Sequence, residues 1–276
     1  MRRAGTVGGL VRACHPDACA AVTVVAVLLA ATVGRGAVGT LLVGAAVLAG
    51  QLCVGWTNDY LDANRDIAAG RTDKPITSGA VGRRTVGVAA LVAGVACVPL
   101  SLAVGPLAGG LHLVAVASAL AYDLGLKATV ASVVPYLVSF ALLPLFAVLG
   151  PSPHPPWWLP VAGALLGGGA HFANVLPDLT DDAATGVRGL PHRIGATGSR
   201  WAAVLLLLAA SVVLVLGPTG HLAVRVALAG AALVVLAAGL VAGRRPGSRA
   251  VFRAVLVVAL LAVAQLVVAG ASLAGH

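Results

Sequence analysis

The sequence predicts an all-α integral membrane protein, with about nine transmembrane helices in one bundle around a central apolar cavity open to lipid. Three observations predict it. Hydrophobic residues make up 59% of the chain and charged residues 10%, and the mean hydropathy is +1.01; that is the composition of a chain dissolved in lipid. Apolar stretches near the length needed to cross a bilayer recur along it. The basic residues fall almost entirely in alternate connections.

The apolar stretches lie at about 18–34, 38–57, 85–104, 107–123, 129–149, 157–176, 200–216, 221–242 and 251–272. The whole chain, 1–276, reads as one domain. A short basic lead covers 1–16 without an evident fold of its own, and two longer loops cover 67–84 and 183–199. With nine spans, sixteen of the 18 Lys and Arg residues share one side, and only Arg35 and Arg225 lie on the other. That is a positive-inside pattern, so the amino terminus and both loops are expected in the cytoplasm. The net charge of +9 is therefore mainly topology and not a nucleic-acid footprint. The first apolar run follows Arg2 and Arg3 but starts late and lacks a convincing cleavage site, so it reads as an uncleaved helix. Cys14, Cys19, Cys53 and Cys97 form no metal-type pair and read as buried free thiols.

Taken in order, the first helix is Ala/Val-rich and nearly featureless. The second carries Gln51 and Trp56 and runs into Asn58-Asp59-Tyr60-Leu61-Asp62-Ala63-Asn64-Arg65-Asp66. The chain has nine acidic residues, all Asp, and three stand here at i, i+3 and i+7, on one helix face with Asn58 at its edge. Three carboxylates on one face repel, so a cation is expected among them. Hard oxygen donors without His or Cys point to Mg²⁺. Arg71 and Lys74 follow closely and are placed to grip anionic oxygens bound to the metal.

Helices three and four are apolar apart from His112, which reads as a packed, hydrogen-bonded residue. Helix four ends in Tyr122-Asp123-Leu124-Gly125-Leu126-Lys127, and Lys127 stands where a loop meets the membrane, suited to a phosphate. Helix five places Ser132, Tyr136, Ser139 and Phe140 on one face, which either lines a cavity or packs on a neighbour. Trp157 and Trp158 read as an interface belt. Helix six carries His171, Asn174, Asp178 and Asp182 in one stripe with Asp181 close by, and Pro177 is expected to kink it. Arg188 and Arg193 follow in the next loop. The last three helices hold little that is polar beyond Gln265 and read as scaffold.

The acidic stretch recurs. A shift of 116 positions superposes Asn58, Asp62 and Asp66 on Asn174, Asp178 and Asp182, and Gly70, Pro75 and Gly79 on Gly186, Pro191 and Gly195. An internal duplication follows, with two parallel four-helix quasi-repeats that each present an acidic helix end and a basic loop. Two facing carboxylate clusters suit Mg²⁺ ions that carry a diphosphate, and the apolar cavity behind them suits a hydrocarbon tail. Together they describe an isoprenyl diphosphate.

Asn58-Asp59-x-x-Asp62-x-x-x-Asp66 resembles the N-D-x-x-D-x-x-x-D motif of UbiA-type intramembrane prenyltransferases, and Asp178-x-x-x-Asp182 resembles their D-x-x-x-D motif. The segment Gly186…Leu190-Pro191…Gly195 is similar to the one that follows it there, and Tyr122 and Lys127 are a looser counterpart of the family's Tyr/Lys element. The resemblance implies that Asp59, Asp62, Asp66, Asp178 and Asp182 bind diphosphate through Mg²⁺, with Asp62, Asp66, Asp178 and Asp182 catalytic. It implies that Asn58 shares that job and that Lys127 contacts the substrate; from the residues themselves, substrate contacts are also expected of Arg65, Arg71, Lys74, Asn174, Arg188 and Arg193. The expected reaction is transfer of a prenyl chain to an aromatic or other lipophilic acceptor. A terpene cyclase on the same scaffold, using no acceptor, and a non-enzymatic transporter are the alternatives.

Overall fold

The computed structural model describes residues 5–151, 154–219 and 222–244, together with 248, 250, 251, 253–255, 257, 258, 260, 261, 264 and 265. Among these residues every regular element is a helix. Bilayer hydrocarbon offers the backbone no partners, so each apolar run satisfies its own N–H and C=O groups by coiling. The helices are α1 (Thr6–Ala13), α2 (Pro16–Thr32), α3 (Gly36–Ala68), α4 (Arg83–Val104), α5 (Pro106–Asp123), α6 (Val134–Val148), α7 (Trp158–Val175), α8 (Leu179–Ala184), α9 (Leu190–Leu216) and α10 (Leu222–Ala242). Short 3-10 turns occupy Leu126–Ala128 and Leu176–Asp178. The described positions between 250 and 265 are helical too; the rest of the expected ninth span, to 272, lies outside the described residues.

Five of these helices are long and apolar enough to cross a membrane, or six if α1 and α2, bent by 65°, count as one span. Nine were expected from apolar runs alone; α6, at 15 residues, is apolar but short. α3 packs on α2, α4 and α5; α6 packs on α2, α5 and α7; α9 joins α7 to α10. One core cluster gathers Leu29, Val43, Val47, Phe146 and Leu159 between α2, α3, α6 and α7, and a second gathers Phe172, Leu207, Leu236 and Val255. Glycine sets the closest approach: a Cβ on Gly167 would stand 2.6 Å from the Tyr136 carbonyl oxygen, so α6 and α7 meet backbone to backbone.

Three expectations are corrected. The lead 1–16 is not structureless: Thr6–Ala13 is a helix, docked where Trp56 Nε1 donates to the Leu10 carbonyl at 2.9 Å. The two Trp do not form a belt, because Trp158 is 3% exposed and packed in the core while Trp157 is 67% exposed. The second loop is shorter than 183–199, since α9 begins at Leu190 and is broken only at Gly195 (φ 72°).

The arginines expected on the far side are structural. Arg35 donates to the carbonyls of Ala147 (2.8 Å) and Leu149 at the end of α6, and Arg225 donates to those of Val215 (2.7 Å) and Pro218 at the end of α9. Each answers carbonyls that the helix itself leaves unpaired. Gln265 in turn donates to the Arg225 carbonyl at 2.9 Å. His112 is packed as expected, hydrogen-bonded to Ser101 Oγ at 2.8 Å and stacked on Phe146. All four cysteines are buried and free.

Candidate active site

α3 has 33 residues, about 50 Å of helix, against a hydrocarbon core of about 30 Å. Its last turns carry the first motif. Asp59 and Asp66 are buried at 2% and 8% exposure, and Asp62 lies beside them, half-buried.

The cations that the like-charged carboxylates require come from the loops. Lys74 Nζ donates to Asp59 Oδ1 at 3.2 Å. Lys127 Nζ donates to both oxygens of Asp62, at 2.7 and 2.8 Å. Arg65 Nη2 reaches Asp62 Oδ2 at 2.7 Å from within the helix. Asn58 Nδ2 sits 3.3 Å from the same oxygen and donates to Asp123 Oδ1 at 2.8 Å. A left-handed turn at Gly125 (φ 147°) and the 3-10 turn after it lift Lys127 back over the motif.

The second motif spans a break. α7 stops at Val175, the Leu176–Asp178 turn carries Pro177, and Asp182 stands on α8. The expected single stripe is thus divided at the proline. The first loop reaches across to it: Arg71 Nη1 lies 3.6 Å from Asp178 Oδ1, while the same guanidinium pairs with Asp73 at 3.1 Å. Those Arg71 hydrogen bonds hold Asp73 below the usual carboxylate range. Asp182 behaves oppositely. Burial pushes it up to about 6, with Arg65 and Lys127 opposing and Asp178 and Asp62 reinforcing. The same two cations serve Asp62 and Asp182, so the motifs share one electrostatic site.

The two loops match in conformation as well. Gly70 and Gly79 take φ of 67° and 71°, and Gly186 and Gly195, 116 positions on, take 88° and 72°. A side chain would strain all four. Gly189 lies so close to the Lys127 carbonyl that a Cβ has no room there. Beside it the Leu190 N–H donates to Ser132 Oγ at 2.9 Å, and Ser132 Oγ lies 3.2 Å from His171 Nε2. Below the carboxylates, the rings of Tyr122, Tyr136, Phe140, His171 and Phe172 form one cluster, with adjacent centroids 4.9 to 6.2 Å apart.

The fold therefore brings together Asn58, Asp59, Asp62, Arg65, Asp66, Arg71, Lys74, Lys127, Asp178 and Asp182. Asn174 turns elsewhere, 3.4 Å from the Tyr136 hydroxyl. Arg188 and Arg193 pair with no carboxylate among the described residues; Arg193 Nε donates to the Arg188 carbonyl at 3.3 Å. Sequence reasoning passed over Asp123, which is 7% exposed and ties Asn58 in place. Its one signal was an acid at a helix end four residues before a rare lysine.

No three His, Cys or Asp side chains among the described residues converge into a ready cage for a metal ion. The donors nevertheless suit Mg²⁺. They are carboxylate oxygens, and Asp59 Oδ2 and Asp123 Oδ2 are buried without a hydrogen-bond partner. Mg²⁺ commonly takes only one or two protein carboxylates and completes its shell with water and phosphate.

The sequence model of the UbiA prenyltransferase family matches residues 19–263. The chain belongs to that family. A UbiA homolog from Aeropyrum pernix K1, solved without ligand, superposes with a TM-score of 0.72 at 18% identity, covering 90% of this chain and 96% of its own. A UbiA homolog from Archaeoglobus fulgidus, bound to DMAPP and Mg²⁺, superposes at 0.71 and 13%, covering 96% and 99%. A digeranylgeranylglyceryl phosphate synthase superposes at 0.67 and 16%, covering 97% and 99%. At these identities the likeness is one of fold. No curated protein sequence matches the chain. The family and the long apolar helices together make it a multi-pass membrane protein.

Proposed function

We propose that this UbiA-family chain is a Mg²⁺-dependent intramembrane prenyltransferase, which ionises an isoprenyl diphosphate and passes the prenyl chain to an aromatic or other lipophilic acceptor. The observation that carries the reading is the reach of Arg71 from the first loop to Asp178 of the second motif, which draws both carboxylate clusters to one mouth. The Archaeoglobus homolog's DMAPP and Mg²⁺ support the same substrate class here.

Asp59, Asp62, Asp66, Asp178 and Asp182 would hold Mg²⁺, which when bound neutralises charge on a leaving diphosphate. Lys74, Lys127, Arg65 and Arg71 orient the phosphates and carry part of their charge; each guanidinium or ammonium now on a carboxylate exchanges it for phosphate oxygens as the substrate enters. Asn58, held by Asp123, fixes the Asp62 carboxylate. Asn174 and Tyr136 form the polar edge of the space under the diphosphate. The C–O bond breaks with both electrons leaving on the diphosphate, and the apolar walls keep water from the allylic cation.

The expected architecture belongs to this reading: nine spans, a single domain, and two parallel quasi-repeats, supported by the matched left-handed glycines. So does the orientation, with amino terminus, motifs and loops in the cytoplasm, supported by the distribution of Arg and Lys.

One observation favours the cyclase alternative. Four of the eleven Phe, Trp and Tyr residues, Tyr122, Tyr136, Phe140 and Phe172, gather with His171 in one cluster, where ring faces would steady a migrating cation. The deciding experiment supplies purified protein in nanodiscs with geranylgeranyl diphosphate and Mg²⁺, without acceptor, beside Asp62→Asn. Diphosphate release abolished by Asp62→Asn supports the enzyme. Measurable release that is equal in both proteins would overturn it. Substrate left intact without acceptor is the result expected of a transferase, and the same comparison then follows with aromatic and lipid acceptors added. A cyclic product without acceptor would assign the cyclase instead.

A further inference from the structure

One buried hydroxyl stands outside the grip on the diphosphate and yet joins three of the segments that build it. Ser132 and His171 are both at 0% exposure. Ser132 Oγ accepts the Leu190 N–H at 2.9 Å and lies 3.2 Å from His171 Nε2. Leu190 opens α9, so its N–H is one of the donors that a helix leaves unpaired in its first turn. A serine hydroxyl has one proton and two lone pairs, enough to serve both partners at once.

Each contact leads to a different part of the site. Ser132 follows Lys127 in the tight connection between α5 and α6. That connection is tied internally: Thr129 Oγ1 donates to the Leu126 carbonyl at 2.9 Å, the Ala131 N–H donates to Thr129 Oγ1 at 3.2 Å, and the Ser132 N–H donates to the Thr129 carbonyl at 3.2 Å. A shift of Ser132 therefore carries Lys127 with it. Leu190 ends the second loop, and that loop is seated on the same turn. A Cβ on Gly189 would stand 2.4 Å from the Lys127 carbonyl oxygen and 2.9 Å from Ser132 Oγ. His171 belongs to α7, the helix that leads into Asp178, and its ring packs on those of Tyr122 and Tyr136.

A small polar residue between helices can serve as packing alone. Two observations carry Ser132 further. The Lys127 side chain is 10% exposed and closes on both oxygens of Asp62, so packing leaves it few rotamers and the ammonium follows its backbone. That backbone is held from outside its own turn by Gly189 directly, and by Leu190 and His171 through Ser132.

We propose that Ser132 is a positioning residue for the diphosphate: its hydroxyl fixes the start of α9 and His171 to the turn of Lys127, and so sets where that ammonium meets phosphate. The inference rests on the isoprenyl diphosphate reading of the site. Ser132 itself touches no substrate and acts through Lys127. Ser132→Ala removes the partner of the Leu190 N–H and of His171 Nε2, which frees the turn to move.

The test is a double-variant cycle, read by calorimetry as affinity for the unreactive analogue farnesyl thiolodiphosphate with Mg²⁺ in phosphatidylcholine nanodiscs. Ser132→Ala is expected to weaken binding about tenfold, the scale of a small misplacement of one binding group. In a Lys127→Met background the same change is expected to cost less than about twofold, because residues that act through one another do not add. In a Lys74→Met background it is expected to cost about tenfold again, since Lys74 stands on Asp59 and shares neither contact. His171→Phe keeps a ring and removes its nitrogens. It repeats the cycle on one contact, with the same pattern at smaller size, and stands in for Ser132→Ala if that variant does not fold. Equal losses in the wild-type and Lys127→Met backgrounds would overturn the proposal. So would a lowered melting temperature with unchanged affinity, the sign of packing alone. Wild-type protein that fails to bind the analogue with Mg²⁺ would overturn the diphosphate reading itself, and that result is visible without any variant.

Discussion

Lys127 Nζ holds both oxygens of Asp62, at 2.7 and 2.8 Å, across 65 residues of sequence. The lysine comes from the turn after α5 and the aspartate from the last turns of α3. One ion pair thus fixes the register of two helices at the mouth of the site.

Lys127→Met removes that cation and leaves Asp62 to Arg65 and Asn58. The expected loss in kcat/KM for diphosphate release is about 10²–10³-fold, in the range for deleting one preorganised charge at a reacting centre. Steady-state release of diphosphate checks it. A loss below threefold would remove Lys127 from the substrate grip.

Arg71 joins the first loop to the second motif, and its planar fork serves Asp73 and Asp178 together. Arg71→Lys keeps the charge but loses the fork, so it is expected to retain only part of the activity. Arg71→Ala should lower kcat/KM further, by about tenfold or more relative to the lysine variant, since only the lysine keeps a charge-assisted contact. The same assay, run on both variants, separates charge from geometry.

Burial lifts the Asp182 carboxyl to about 6 in the metal-free protein, above its ordinary 3.8. Mg²⁺ needs the ionised form, so its affinity should fall as pH drops through about 6. Calorimetric Mg²⁺ titrations at pH 7.5 and 5.5 check this, and Asp182→Asn should flatten the dependence. Linkage gives the opposite sign for the metal-free fold. A raised carboxyl contributes more stability at low pH, and that contribution is lost as pH rises from 3.8 through about 6.

α1 is wedged against the loop that carries Arg71 and Lys74. Arg12 Nη2 donates to the Asp73 carbonyl at 2.8 Å, and a Cβ on Gly9 would stand 2.7 Å from the Ala80 carbonyl oxygen. Gly9→Val should therefore push the helix off the loop, costing about 1–3 kcal/mol. A lowered melting temperature together with a raised KM for isoprenyl diphosphate is the expected result. A lowered melting temperature with an unchanged KM would confine α1 to scaffolding.

The helices, the acidic motifs and the class of ligand were legible in the sequence for local reasons. A bilayer leaves an apolar run no choice but to satisfy its own backbone, so hydropathy reports span position directly. Helical periodicity alone places Asp59, Asp62 and Asp66 on one face, and the 116-residue offset pairs Gly70 with Gly186 without any knowledge of packing. Among the described residues five or six helices are long and apolar enough to cross a membrane by themselves, against nine apolar runs in the sequence, because apolar composition does not set where a short helix such as α6 begins and ends.

What only the tertiary structure decided was partnership. Asp123 meets Asn58, Lys127 meets Asp62, and Arg71 meets Asp178 because α3, α5 and α7 pack at particular depths and rotations. Nothing in the period of one helix encodes those distances. The same holds for α1, whose docking depends on Gly9 and Gly55 admitting close backbone contact. Residue type and spacing determined which groups the protein owns; helix packing decided which of them face one another.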